Sequence, residues 1–161
     1  MERNGRKRSS GRAPSVLRGN ALATLDDDGR LKLPAGFRRT IETAYGRAIY
    51  LTSLRGDSLW IYPLPVWQQK ERRLLTLSNQ HPAVSKFLER TSYFGAEVEL
   101  DAQGRIVVPA VTRAAAKVAG EVAILGALDH LEVWGHEALQ AKLAQEPFTT
   151  DDLQALAVLG L

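Results

Sequence analysis

The sequence predicts a mixed α+β, β-rich fold in which one structural unit occurs twice. The strongest signal is a repeated phrase, Asp-x-x-Gly-Arg-φ-x-φ-Pro, in which φ is an apolar residue. Its first copy begins at Asp26 and its second at Asp101, 75 positions later, and Arg38 and Arg113 keep the same spacing beyond the prolines. Self-similarity at a fixed period is typical of a duplicated supersecondary unit.

The two copies agree at turn, charged and apolar positions alike. They comprise Asp26, Gly29, Arg30, Leu31, Leu33 and Pro34 in the first copy, and Asp101, Gly104, Arg105, Ile106, Val108 and Pro109 in the second. A second matched block lies at an offset of 72, with Asp57, Leu59, Ile61 and Tyr62 answering Asp129, Leu131, Val133 and Trp134. Each unit is therefore predicted to run strand, turn, strand, helix, strand, turn, strand.

The first unit, residues 16–64, opens with weak apolar alternation over 21–25, which predicts a strand. The acidic run that ends at Gly29 is turn chemistry, because Asp bonds its own backbone and Gly accepts a positive φ. In the strand that follows, Leu31 and Leu33 face one side while Arg30 and Lys32 face the other. The charged pair is thus predicted to point to solvent.

A helix follows, with Pro34 predicted at its first position, Gly46 at its end, and Phe37 and Ile41 on its buried face.

The remaining segments are a basic disordered tail over 1–15, a helical insertion over 65–93, the second unit over 94–137 and a helical C-terminal tail over 138–161. Thr150 is predicted to cap the last helix.

Composition narrows the class of function. The 161 residues include no cysteine, which excludes disulfides, zinc–thiolate sites and thiol catalysis. The three histidines are scattered, and neither a glycine-rich phosphate loop nor a nucleophile elbow occurs. No apolar run approaches the roughly 20 residues of a membrane span. We therefore expect a cytoplasmic protein that is not an enzyme, without cofactor, metal, small-molecule substrate or membrane.

The net charge of +3 is unevenly distributed along the chain. Residues 1–19 carry +5, so the remaining residues carry −2. The tail is either a solvated extension or an arm that attracts nucleic acid nonspecifically. Because the folded part is near neutral, any anion-binding face on it must come from the local arrangement of its charged side chains.

The two copies differ in local charge. Residues 16–47 carry +2, whereas the equivalent residues 91–122 carry −1. A phosphate backbone is attracted to the first and repelled by the second. If the chain binds nucleic acid, the first copy is therefore the reading side, with Arg30 and Lys32 on a two-stranded ribbon of the kind that fits a DNA major groove. The residues Asp26, Gly29, Asp101, Gly104 and Arg105 are assigned to a structural turn motif.

The chain resembles the MraZ family, bacterial transcriptional regulators of the division and cell-wall gene cluster within the SpoVT/AbrB-like group. The resemblance rests on 17–20 (LRGN), on both copies of the phrase, on 59–67 (LWIYPLPVW) and on 133–134 (VW). It implies a swapped-hairpin β-barrel, a ring-shaped homo-oligomer, and binding to tandem repeats in double-stranded promoter DNA, usually with repression. It also implies that Arg30 is the prime DNA contact, with Arg18 and Arg38 at further basic positions.

The chain departs from the family pattern in two places. The family commonly has Lys two residues before the motif arginine, where this chain has Asp28. A carboxylate there repels phosphate, and Lys32 on the face of Arg30 is expected to compensate. The tail over 1–15 precedes the usual start of the family.

The sequence therefore predicts a nucleoid-associated DNA-binding repressor. Two alternatives remain open. One is an AbrB-type antitoxin that pairs with a toxin. The other is a structural ring or an enzyme on a related barrel, since active sites can be assembled from distant residues.

Overall fold

The computed structural model describes residues 16–77 and 80–161, so the predicted tail over 1–15 lies outside the described residues. The described residues form eight strands and six helices. The strands are β1 Asn20–Leu25, β2 Arg30–Lys32, β3 Ala48–Thr52, β4 Leu59–Pro63, β5 Ala96–Glu99, β6 Arg105–Val107, β7 Gly120–Gly126 and β8 Leu131–Gly135. The helices are α1 Ala35–Tyr45, α2 Leu64–Leu75, α3 Pro82–Tyr93, α4 Ala110–Ala116, α5 His136–Gln145 and α6 Thr150–Val158.

The strands form one antiparallel sheet in the order β5-β3-β4-β8-β7-β1-β2-β6. Four of its ladders join strands of different units: β1 with β7, β2 with β6, β3 with β5 and β4 with β8. The two end strands, β5 and β6, are joined by one turn in which Asp101 N donates to Arg105 O at 2.9 Å. The sheet therefore nearly closes into a barrel, and the predicted mixed α+β, β-rich fold is confirmed.

The two units share one core inside this near-barrel. Period-two alternation turns Leu31 of β2 and Ile106 of β6 inward, where both are almost fully buried. The core also contains Ile49, Leu51, Leu59, Ile61, Val122, Ile124, Leu131 and Val133. Because both units contribute side chains to this one core, neither unit has a core of its own, as expected for segments of this length.

Helix α1 follows the predicted pattern with one shift. Phe37 and Ile41 are buried one turn apart, and Gly46 ends the helix with φ of 87°. Pro34 occupies the position before the first helical residue, not the first position as predicted. Pro still suits this position for two reasons: its φ is fixed near the helical value, and it has no backbone N–H to leave unpaired at the helix start.

The helices α2 and α3 pack on one side of the sheet through aromatic rings. Trp67 stacks on Tyr50 of β3 at 4.6 Å between ring centroids, and Phe87 of α3 lies 6.2 Å from Trp67. Leu75 and Leu77, at and just beyond the end of α2, are exposed. The helical periodicity ends at that point because α2 ends at Leu75.

The C-terminal helices are attached differently from each other. Leu139 of α5 is buried against Trp134 of β8. In α6 the cap is Thr149, not Thr150 as predicted, and Thr149 and Asp152 form a reciprocal capping box. No helix among the described residues is long and apolar enough to cross a membrane.

Candidate nucleic-acid interface

The turn of the first copy is closed by the side chain of Asp26. Its Oδ1 accepts from the backbone N–H of Asp28 at 3.0 Å and of Arg30 at 2.8 Å. Gly29 has φ of 83°, a conformation that Gly adopts without steric cost. The geometry therefore places Arg30 at a defined position where β2 begins.

The turn of the second copy repeats this geometry. Asp101 Oδ1 accepts from the backbone N–H of Gln103 at 2.8 Å and of Arg105 at 2.9 Å, and Gly104 has φ of 75°. The hydrogen bond from the Arg105 backbone is the largest cause that holds the pKa of Asp101 below its ordinary value. Asp26, Gly29, Asp101 and Gly104 thus all take part in turn geometry.

The arginines of the two copies have different ion-pair partners. Arg105 Nε lies 3.8 Å from Asp101, the carboxylate four residues earlier. Arg30 Nη1 instead lies 3.3 Å from Asp28, with 56% of the Arg30 side chain exposed. Both pairs are exposed, so each is weak and the guanidinium groups are available to an anion.

The ladder between β2 and β6 brings both copies onto one surface. Arg30 lies across from Val107, and Lys32 lies across from Arg105, while Leu31 and Ile106 pair on the inner side. We call the four outward residues Arg30, Lys32, Arg105 and Val107 the ribbon face. All four are exposed. Three of them are cations, so the ribbon face combines charge from both units although only the first was predicted to face DNA.

The other two predicted contacts are not part of the ribbon face, although Arg38 lies beside the turn that precedes β6. Arg18 is exposed two residues before β1, and the length of β1, roughly 20 Å at about 3.4 Å per residue, separates it from the turn. Arg38 lies on α1 with 28% of its side chain exposed. Its Nη2 donates to Ala102 O at 2.7 Å and its Nε to Glu42 at 3.1 Å. The structure therefore joins Arg30 with Lys32 but does not bring Arg18 to them.

Sequence reasoning missed Arg113 as a functional candidate. Its Nη1 donates to the carbonyl of Asp27, in the turn of the first copy, at 3.0 Å. Arg113 is the repeat counterpart of Arg38, so the shared offset of 75 was the available signal. Each of these arginines contacts the turn of the opposite unit.

A cavity of about 850 Å³ lies elsewhere, beside α5. It is lined in part by Glu121, His136 and Glu137, and His136 Nδ1 contacts a Glu121 carboxylate oxygen. Among the described residues no group of three or more acidic or histidine side chains is arranged to hold a metal ion. This cavity is separate from the ribbon face, which carries Arg30, Lys32 and Arg105.

Comparison with known proteins identifies the family. The sequence profile of a family described as MraZ protein, antitoxin-like, matches residues 16–90 and 95–158, one segment for each unit. A transcriptional regulator MraZ of Acidobacterium capsulatum is 44% identical over 146 residues, which cover 91% of this chain and 100% of that protein. One of Koribacter versatilis is 39% identical over 147 residues, with the same coverage. One of Chromobacterium violaceum is 30% identical over 129 residues, covering 80% of this chain and 87% of that protein.

The two matched segments confirm the duplication that the repeated phrase predicted. Family membership also makes the chain a transcriptional regulator and not an enzyme. The repeat, the interlaced near-barrel and these relatives together show that the chain belongs to the MraZ family of transcriptional regulators.

Proposed function

We propose that this chain represses a division and cell-wall gene cluster by binding tandem repeats in the promoter as a ring-shaped homo-oligomer. It acts in the cytoplasm on nucleoid DNA. The observation that carries the proposal is the ribbon face, in which Arg30, Lys32 and Arg105 are exposed together on one antiparallel ribbon. A two-stranded ribbon fits the major groove of B-DNA, where each base pair presents a distinct pattern of donors and acceptors.

Arg30 is the residue that reads the DNA. Its backbone is fixed by Asp26 and its guanidinium is only weakly paired, with Asp28 at 3.3 Å. A guanidinium can donate two parallel hydrogen bonds to a guanine edge or to a phosphate. Arg30 therefore supplies specificity, and Lys32 supplies attraction to the phosphate backbone from the same face.

Arg18 and Arg38 act on the DNA backbone from outside the ribbon face. Arg18 is exposed at the far end of β1 and can meet a phosphate of another part of a bound duplex. Arg38 already donates to Ala102 and Glu42, so its contribution to affinity is smaller than that of Arg30. Phosphate contacts of this kind set position and affinity without reading sequence.

Assembly converts weak single contacts into tight binding. One protomer presents a single small ribbon, whereas a ring presents several copies at a fixed spacing to tandem sites. Linked sites bind by effective concentration, which raises avidity by about 10²–10⁴-fold without any new contact. Repression then follows from occupancy of the promoter.

The test is Arg30→Ala in the full chain, with Arg72→Ala on the exposed surface of α2 as a matched loss of charge. Binding to the chain's own upstream DNA is measured by gel shift, and assembly by light scattering. We expect Arg30→Ala to lose specific binding with unchanged assembly, a loss of about 1–3 kcal/mol per engaged site if a guanine is read. The proposed function is contradicted if the wild-type protein does not retard this DNA. If the Arg30→Ala variant disassembles, Arg30 has a structural role in the turn and not a role in reading DNA.

The basic segment 1–15 is proposed as an accessory arm. Its charge supports nonspecific attraction to DNA. Removal of 1–15 is expected to make the dependence of log K on log salt shallower, since fewer counterions are released on binding. An unchanged slope of log K against log salt would show that the segment 1–15 does not contribute to DNA binding.

A further inference from the structure

We propose that Arg113, in the second unit, is a positioning residue that sets the DNA-reading hairpin of the first unit. The inference rests on the proposed function of Arg30 and assigns to the second unit a part in sequence specificity. The carrying observation is the contact between Arg113 Nη1 and the carbonyl of Asp27 at 3.0 Å. Arg113 contacts the turn and not DNA, so its effect on binding passes through the position of Arg30.

The turn fits closely against the second unit at several atoms. Val108 N donates to Gly29 O at 2.7 Å. A Cβ added at Gly29 would lie 2.4 Å from Val108 O and 3.0 Å from Arg113 Nε. Gly29 itself is buried. The guanidinium of Arg113 therefore lies directly under the turn, and only a residue without a side chain fits above it.

The opposite turn is held by the same contacts in reverse. Arg38 Nη2 donates to Ala102 O at 2.7 Å, and Leu33 N donates to Gly104 O at 2.9 Å. A Cβ at Gly104 would meet Arg38 Cδ at 2.5 Å. Each unit thus supports the turn of the other through the arginine four residues beyond its motif proline.

The two supports differ in charge balance. Arg38 Nε donates to Glu42, one helical turn later. The residue four positions after Arg113 is Lys117, which lies beyond the end of α4 with φ of 55°. Among the described residues Arg113 Nε is buried without a hydrogen-bond partner. Helix α4 contains no carboxylate to offset the charge of Arg113, whose Nη1 donates to the backbone carbonyl of Asp27.

This contact controls Arg30 through the peptide that links Asp27 to Asp28. The Asp27 carbonyl belongs to that peptide, and so does the Asp28 N–H, which donates to Asp26 Oδ1 at 3.0 Å. The same oxygen accepts from the backbone N–H of Arg30 at 2.8 Å, so the orientation of the peptide affects the backbone position of Arg30. Loss of the Arg113 contact frees the peptide to rotate, and Arg30 samples more positions. Specific recognition needs a side chain held close to its productive geometry, whereas nonspecific attraction depends only on charge.

The experiment compares full-length wild type, Arg113→Ala, Arg113→Lys and Arg72→Ala. Affinity is measured for the chain's own upstream DNA and for a scrambled duplex of equal length and composition. We expect Arg113→Ala to weaken binding to the promoter by about tenfold, the loss typical of a hydrogen bond to a charged group. Binding to the scrambled duplex should change no more than in Arg72→Ala. Arg113→Lys keeps the charge and one donor and should fall between wild type and Arg113→Ala.

Amide hydrogen exchange provides a readout that separates positioning from general destabilisation. In Arg113→Ala the amides of 26–30 should exchange faster, with those of 101–105 unchanged. The inference is overturned if Arg113→Ala lowers the affinity for both duplexes equally or leaves the affinity for promoter DNA unchanged. It is also overturned if neither Arg113→Ala nor Arg113→Lys assembles. A wild-type protein that does not prefer promoter DNA contradicts the proposed function instead, so the two failures are distinguishable.

Discussion

Lys32 of the first unit lies directly across from Arg105 of the second in the ladder between β2 and β6. Both side chains are exposed on the ribbon face. Like charges placed opposite each other on neighbouring strands destabilise a sheet. A protein that keeps such a pair at its surface gives up stability there, and an anionic partner such as a phosphate backbone relieves the repulsion. The pair therefore predicts opposite effects of one substitution on folding and on binding.

Lys32→Glu should stabilise the fold and weaken DNA binding. A cross-strand pair of opposite charge with Arg105 contributes about 0.2–1 kcal/mol to the free energy of unfolding. The same change removes a phosphate contact, so the slope of log K against log salt should become shallower by about one. Urea denaturation at one protomer concentration and salt-dependent gel shifts measure the two effects. Lys86→Glu on α3 is the control, and a Lys32→Glu variant with lower stability or unchanged DNA binding contradicts the prediction.

Gly19, Gly29 and Gly104, which all have positive φ, should lose stability to different extents when each is replaced by Ala. Gly19→Ala, with φ of 85° and no atom within 4 Å of the added Cβ, isolates the backbone strain, about 1 kcal/mol. Gly104→Ala adds a clash at 2.5 Å with Arg38 Cδ, part of a side chain that can move. Gly29→Ala adds a clash at 2.4 Å with the carbonyl oxygen of Val108, which cannot move without disturbing the sheet.

We therefore expect Gly29→Ala to cost the most stability, more than about 2 kcal/mol, because overpacking against backbone adds to the strain. Chemical denaturation of the three variants at equal protomer concentration checks the order, since assembly affects apparent stability. Equal losses at Gly29 and Gly104 would mean that the near-barrel adapts at the first turn as readily as at the second.

The local turn chemistry was open to prediction, whereas the pairing of strands was not. Asp26 and Gly29 act within five residues, and their spacing is enough to predict the turn. The ladder that puts Arg105 beside Lys32 joins residues 73 positions apart. Charge counted over separate windows therefore treated the second copy as a repelling scaffold and missed the shared ribbon face. The contact of Arg113 with Asp27 was missed for the same reason, although the repeat offset marked both arginines.

His130 should make stability depend on pH. Its ring stacks on Tyr62 at 4.4 Å and lies 2.7 Å from Asp129 and 3.3 Å from Glu132. Burial, the largest effect, lowers the pKa of His130, but the hydrogen bonds with Glu132 and Asp129 outweigh it and raise the pKa above 6.5. Two cations face this cluster: Lys70 of α2 lies 3.6 Å from Asp129, and the charge of Arg55 acts on Glu132.

Since the folded state raises the pKa of His130, protonation stabilises the fold. This contribution is complete below pH 6.5, the ordinary pKa, and is lost as the pH rises through the higher pKa of the folded state. Thermal unfolding of wild type and His130→Gln from pH 5.5 to 9 measures it. The difference in melting temperature between the two proteins should shrink as the pH rises, and a constant difference would show that His130 does not titrate in this range.

Asp28→Asn should strengthen binding to promoter DNA. The Asp28 carboxylate pairs with Arg30 Nη1 at 3.3 Å and brings a negative charge to the edge of the ribbon face. An exposed pair of this kind is worth up to about 1 kcal/mol, so its removal should raise affinity by about two- to fivefold. Asp27→Asn is the matched control, because the structure uses the Asp27 carbonyl and not its carboxylate to bind Arg113. If both variants gain equally, the effect is a general loss of repulsion. If only Asp28→Asn binds more tightly, Asp28 holds Arg30 back from DNA, and the residue that departs from the family pattern tunes the affinity of the regulator for DNA.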